Sequence, residues 1–381
     1  MSRINPYIES YVPKDYGGVD TSGCVLDCSL GVNCQPIPSD VLRTLSAMAS
    51  EPDIIKQYPH REDVDAENCR HLRALYRDTA PRLRDENFWF GDGSFDLLCN
   101  LNLLYGNPGV KIMGTAPQFT AYVDNVHCIG VPFAAYPLNR EKNYLFEADA
   151  FCEMVLRERP ALICCENPNN PTGQGVGFAG LRKFVEAAGR VNAAVVFDEA
   201  YGDYLPRSES AIPLIFEGEE QGVDVFVTRT FSKGFGMAGI RMGYVMGPAA
   251  AVAQLKKLVT PFNCNSPARL LVCSLLRNHP DFQERLSAGV REVNVRLYDA
   301  IRQMKNARRE PKYHIAETSL CTPICTLYVD DGGVDLCRAL AEAGLAAVSC
   351  ATYENMGRNA VRVMLCENVD LLIELLEKAK V

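Results

Sequence analysis

Four short, nearly continuous apolar runs punctuate the middle of the chain: VKIM at 110–113, ALICC at 161–165, AAVVF at 193–197 and DVFVT at 224–228. A strand with one wet face alternates apolar and polar residues; a run apolar throughout is a strand buried on both faces. Between the second and third runs, Leu181, Phe184, Val185, Ala188 and Val191 recur at helical spacing, which predicts a helix over 178–191. Strand, helix and strand in series predict an α/β fold with a mainly parallel sheet flanked by helices. Farther on, a charge-rich helical pattern runs from Asp281 to Lys305, and ICTLYV (324–329) and AVRVML (360–365) read as strands. A last helix should start at Asn368 as N-cap and bury Leu371, Leu372, Leu375 and Leu376. This end of the chain predicts a smaller α+β domain. Since the boundary carries no Pro/Gly/Ser-rich linker, the two parts should pack tightly.

Length agrees with that division, because 381 residues exceed what one core usually holds. A hydrophobic fraction of 48% and a charged fraction of 23% exclude disorder, collagen and coiled coil as global descriptions. The net charge of −8 lacks the basic excess of a nucleic-acid binder. The 16 cysteines would mean disulfides in a small secreted chain. Here the opening MSRINPYIES has no apolar stretch of the kind a signal peptide needs, and the chain has no run approaching the roughly 18 apolar residues of a membrane span. A cytoplasmic protein with reduced thiols, contacting neither membrane nor nucleic acid, is expected. Cys24/Cys28/Cys34, Cys164/Cys165 and Cys321/Cys325 form none of the CxxC pairs of metal sites, so packing rather than metal binding is expected of them.

In open α/β sheets, ligands bind beyond the carboxyl ends of the strands. Three of the predicted strands release polar clusters there: ENPNNPTGQ (166–174), DEAYGDY (198–204) and RTFSKGFGMAGIRMGY (229–244). One crevice would thus receive an Asn, an Asp, a Tyr, a Lys and an Arg. A fourth element is GSFDLL (93–98), where Gly93 and Ser94 precede a helical pattern whose N-terminal N–H groups suit a phosphate. Gly234, Gly236 and Gly239 spell GxGxxG, but a dinucleotide site wants an acidic residue about 20 positions on. QLKKLV (254–259) supplies none.

NPNNPTG, DEAY and SKGFGMAGIRMGY resemble the signature segments of fold-type-I pyridoxal-phosphate enzymes, within the class I/II aminotransferase branch that contains histidinol-phosphate aminotransferase and threonine-phosphate decarboxylase. NPYIESYVP (5–13), LDCSLGVNC (26–34), the Tyr58–Pro59 pair, GDGSFDLL (91–98), PQFTAY (117–122) and AVRV (360–363) resemble family segments in family order. The resemblance implies a large cofactor domain over 46–265 and a small domain built from 1–45 and 266–381. It implies Lys233 as the Schiff-base lysine and proton carrier, Asp198 as partner of the pyridine nitrogen, and Asn170 and Tyr201 as hydrogen-bond partners of the ring's phenolic oxygen. It places Phe119 on the ring face. Gly93, Ser94, Phe95, Thr230, Ser232 and Arg241 would cradle the phosphate. Tyr58 would reach the phosphate of a neighbouring subunit, which implies a homodimer with shared active sites. Arg362 would grip the substrate α-carboxylate with its planar fork, and Asn33 would border the substrate.

Two departures bear on substrate. Relatives that take phosphorylated substrates carry a second arginine in a stretch that looks equivalent to GLAAVSC (344–350); here the position is about Ser349. Arg358 is close but falls in a predicted loop. Cys34 replaces the proline of the family's NxNPxG segment. The expectation is therefore an aminotransferase of a free, non-phosphorylated L-α-amino acid with a keto-acid acceptor. The alternatives are a decarboxylase, cyclase, lyase or oxidase on the same scaffold, or a regulatory protein that has lost the cofactor.

Overall fold

The structure is a computed structural model that describes residues 3–12, 21–31, 36–59, 62–258 and 260–381. Its strands are β1 (Leu26–Asp27), β2 (Phe88–Gly91), β3 (Ile112–Ala116), β4 (Phe133–Pro137), β5 (Leu162–Glu166), β6 (Ala194–Asp198), β7 (Val225–Thr230), β8 (Gly243–Met246), β9 (His314–Ile315), β10 (Ile324–Tyr328), β11 (Leu345–Ala346), β12 (Val348–Ser349) and β13 (Ala360–Met364). Seven of them form one sheet in the order β2-β8-β7-β6-β5-β3-β4. Strand β8 alone runs against its neighbours, so the sheet is mainly parallel.

The unbroken apolar runs are buried on both faces. In β5, Ile163 and Cys165 join one core while Leu162 and Cys164 join the other. In β6, Val195 and Phe197 face one way and Ala194 and Val196 the opposite way. The helix Phe178–Val191 covers the first face with Leu181, Phe184, Val185, Ala188 and Val191. Helices Ser94–Tyr105 and Thr120–Cys128 cover the second with Leu97, Leu98, Leu101, Tyr122 and Val126.

A second sheet, ordered β12-β13-β10-β9, carries the third core with helices Phe282–Gln303, Leu336–Glu342 and Val369–Lys378. Asn368 caps the last of these by accepting the Leu371 N–H, and Leu372, Leu375 and Leu376 are buried, with Leu371 only partly so. Strand β1 pairs in parallel with β11, which joins the front of the chain to its end. Helices Ser39–Met48 and Ser266–Asn278, placed with the chain ends in the expected division, pack apolar residues such as Val41, Met48, Val272 and Leu275 into the core of the large sheet. No helix of the described residues is long and apolar enough to cross a membrane.

Candidate active site

Strands β5, β6 and β7 end at Glu166, Asp198 and Thr230 on one edge of the large sheet, where a cavity of about 280 Å³ opens. Ser94, Phe95, Phe119, Asn170, Asp198, Tyr201, Thr230, Ser232, Lys233, Arg241 and Arg362 all line it. Residues spread over nearly 270 positions of sequence thus meet at one place.

The Lys233 ammonium donates to the Gly31 carbonyl at 3.1 Å and stands 5.3 Å from the centre of the Tyr201 ring. Behind it lies Asp198, which accepts the Thr228 hydroxyl at 3.0 Å and the Ala200 N–H at 3.2 Å. Burial pushes its carboxyl up to about 6, although both hydrogen bonds pull the other way. Its neighbour Glu199 turns away from the cavity. There Arg229 meets Glu199 at 2.5 Å and Asp203 at 2.7 Å, all three side chains buried. The polar cluster after β6 therefore splits: one carboxylate serves the cavity and two lock the ends of β6 and β7 together.

At the other end of the cavity, Gly93 precedes the helix Ser94–Tyr105 with φ of +93°, a backbone conformation natural to glycine. A Cβ there would lie 2.6 Å from the Arg241 guanidinium. Arg241 also donates to the Ser232 hydroxyl at 3.2 Å, and that hydroxyl accepts from Thr230 at 2.9 Å. Backbone N–H groups, hydroxyls and a guanidinium converge here as an anion site requires. The Gly-rich stretch after β7 leads into the 3₁₀ turn Ala238–Ile240 rather than an α-helix, so the dinucleotide geometry is not formed.

Arg362 sits on β13, between β12 and β10, and is 7% exposed. It is therefore neither a surface residue nor part of an edge strand. Its Nη1 donates to Asn170 Oδ1 at 3.0 Å and to the Tyr353 hydroxyl at 3.2 Å, and its Nη2 to the Ser29 carbonyl at 2.8 Å. Its Nε is buried with no hydrogen-bond partner among the described residues. Tyr353 also reaches Asn170 Oδ1, at 3.3 Å, and burial pushes its hydroxyl up to about 12.

Tyr58 does not line the cavity; it is 71% exposed and stacks on Phe262 at 4.7 Å. Asn33 and Cys34 lie outside the described residues. Glu166, Tyr353 and the carbonyls of Ser29 and Gly31 are the parts of the site that sequence reasoning missed. Elsewhere, Glu67, His71 and Cys273 bring donor atoms within 4.8 Å of one another, but Glu67 already meets the guanidiniums of Arg70 and Arg277, which occupy it with positive charge. No disulfide joins the described cysteines.

The sequence pattern of the family described as aminotransferase class I and II matches residues 25–375. The chain belongs to this family. Relatives of these aminotransferases include the histidinol-phosphate aminotransferase of Mycobacterium ulcerans, 31% identical over 250 residues, which are 65% of this chain and 61% of that protein. The match thus spans about three-fifths of that relative's length. The aromatic amino acid aminotransferase of Nocardia farcinica is 29% identical over 306 residues, 79% of each chain. Among solved structures, a double mutant of Thermus thermophilus aspartate aminotransferase superposes with a TM-score of 0.80 at 17% identity, covering 99% of both chains.

Aminotransferases of this class work with pyridoxal 5′-phosphate. The residues present fit that group. A buried carboxyl that forms no ion pair among the described residues, Asp198, matches a ring nitrogen that carries a proton. The glycine-lined pocket under Arg241 matches a phosphate, and the unpartnered Arg362 Nε matches a substrate carboxylate.

Proposed function

We propose that this chain is a pyridoxal-phosphate-dependent aminotransferase that acts on a free, non-phosphorylated L-α-amino acid and passes the amino group to a keto acid. The charge inventory of the cavity carries the substrate class. Among the described residues its cations are Lys233, Arg241 and Arg362, and each already has a task. Arg241, with Gly93, Ser94, Phe95, Thr230 and Ser232, holds the cofactor phosphate. Arg362 presents its fork to the substrate carboxylate, steadied by Asn170, Tyr353 and the Ser29 carbonyl. Lys233 is the amine that binds the cofactor covalently. A second phosphate, on the substrate, would meet no further cation. Ser349 instead accepts the Ala351 N–H at 3.3 Å, and Arg358 is exposed.

When bound, the cofactor supplies an electron-accepting ring that stabilises negative charge at the substrate α-carbon. Lys233 Nζ removes and returns the α-proton. Asp198 keeps a proton on the nitrogen facing it. Phe119 would hold the ring by stacking, and Asn170 and Tyr201 would offer it hydrogen bonds. Arg362 sets which α-bond is aligned for cleavage. The exposure of Tyr58 supports its reaching a partner subunit, so we also propose a cytoplasmic homodimer with shared sites. The domain division at 46–265 against the two chain ends is part of the same proposal.

A panel of free amino acids, aromatic ones and arginine included, is to be compared with histidinol phosphate by the spectral change of the bound cofactor. Turnover of a free amino acid that leaves the cofactor aminated is expected. Comparable activity on histidinol phosphate would overturn the substrate class. Release of product with the cofactor unaminated would point instead to a lyase, decarboxylase or oxidase.

A further inference from the structure

Glu166 is the fifth charged side chain of the cavity, and none of the roles above uses it. It ends β5 in register with Asp198 on β6, so the two carboxyls leave the sheet edge side by side. It is 6% exposed and has no cationic partner among the described residues; N–H groups surround it instead. Oε1 accepts the Phe119 N–H at 2.8 Å. Oε2 accepts the Asn170 N–H at 2.9 Å and the Asn169 side-chain amide at 3.1 Å. All three partners are donors, so they favour the ionised carboxylate. Burial and the charge of Asp198 push its pKa upward against them.

These bonds tie together two chain segments that sequence holds far apart. Phe119 caps the helix Thr120–Cys128, and its N–H fixes where the ring enters the cavity. Asn170 sits in the loop after β5, and its N–H fixes where Oδ1 meets Arg362. One carboxylate therefore sets the spacing between the stacking face and the Asn170–Arg362 pair.

We infer that Glu166 is a positioning residue of the cofactor site: its two oxygens hold Phe119 and Asn170 at the separation a flat aromatic ring needs. This inference rests on the cofactor reading of the site. Glutamine cannot replace it, although the size is nearly equal. An amide has one accepting oxygen, and its NH₂ would face either the Phe119 or the Asn170 N–H, donor against donor.

The test compares wild type, Glu166→Gln and Glu166→Asp, each loaded with pyridoxal 5′-phosphate. Cofactor affinity is read by titration, and ring orientation by circular dichroism in the visible band. In Glu166→Gln, the dissociation constant should rise about tenfold and the dichroic band should shrink, because the ring is less firmly held. Glu166→Asp keeps two accepting oxygens, one methylene short, and should fall between. Wild-type affinity and dichroism in Glu166→Gln would overturn the inference; if that variant does not fold, the same outcome in Glu166→Asp would do so. A fall in apoprotein stability with an unchanged holoprotein band would mean a merely structural role and also overturn it. Failure of the underlying reading looks different: wild type itself would then show no visible band that Lys233→Ala removes.

Discussion

Asp198 gives the most direct physical test of the cofactor reading. Its carboxyl is displaced from 3.8 to about 6, chiefly by burial. The full displacement is worth about 3 kcal/mol. For an acid with a raised folded pKa, the folded state holds the proton more tightly than the unfolded chain does. Its contribution to stability is complete below the unfolded pKa near 3.8 and is lost as pH rises through about 6. About 1 kcal/mol of this falls between pH 5 and pH 7.5. Urea unfolding of the apoprotein at both pH values, for wild type and Asp198→Asn, isolates the effect because other groups titrate in both. Relative to the variant, wild type should lose about 1 kcal/mol over the interval. Saturating pyridoxal 5′-phosphate should remove that loss in wild type, since a protonated ring nitrogen gives the carboxylate its missing partner. Parallel stability profiles for the two apoproteins would refute the argument.

Three further outcomes follow from the geometry. Arg362→Lys replaces a fork by a point charge and should raise the KM for amino acids at least tenfold, measured by steady-state kinetics, while cofactor affinity holds. Gly93→Ala places a methyl group against Arg241 in a backbone conformation unfavourable to alanine, and should weaken cofactor binding by at least tenfold in an absorbance titration. Arg229→Ala leaves Glu199 and Asp203 buried without their cation, and should cost about 3–5 kcal/mol in urea unfolding.

The sequence revealed those parts of the fold that burial dictates. Strands β5, β6 and β7 lie between two cores, so the stretches of them that the cores enclose are apolar, which made them visible. Strand β4 is at the sheet edge with every residue partly or fully exposed, so FAAYP carries no such imprint. The site shows the same contrast. Lys233, Asp198 and Asn170 stand in segments whose composition only a strand-end crevice explains. Arg229 lies in the buried strand β7, and its two acidic partners come from the loop after the preceding strand, β6, so no spacing announces the triad. Glu166 reads as the polar end of an apolar run. Ser29 and Gly31 act through carbonyls, which every residue possesses, so nothing within LDCSLGVNC (26–34) marked those two positions.

Those two carbonyls have an evolutionary consequence. The stretch from Leu26 to Gly31 touches Arg362 and Lys233 with main chain, and a Cβ at Gly31 would run into the Tyr201 hydroxyl. At Ser29 and Gly31 the wall is made of peptide groups and is indifferent to side-chain identity, provided the residues are small enough, whereas Leu30 between them also lines the cavity. Point mutation at those two positions can damage the site but has little power to retune its preference. New substrate choice would have to come from lining residues that bring side chains to the cavity, such as Leu30, Leu98, Phe119 and Ala238, or from changes in the length of the segment itself.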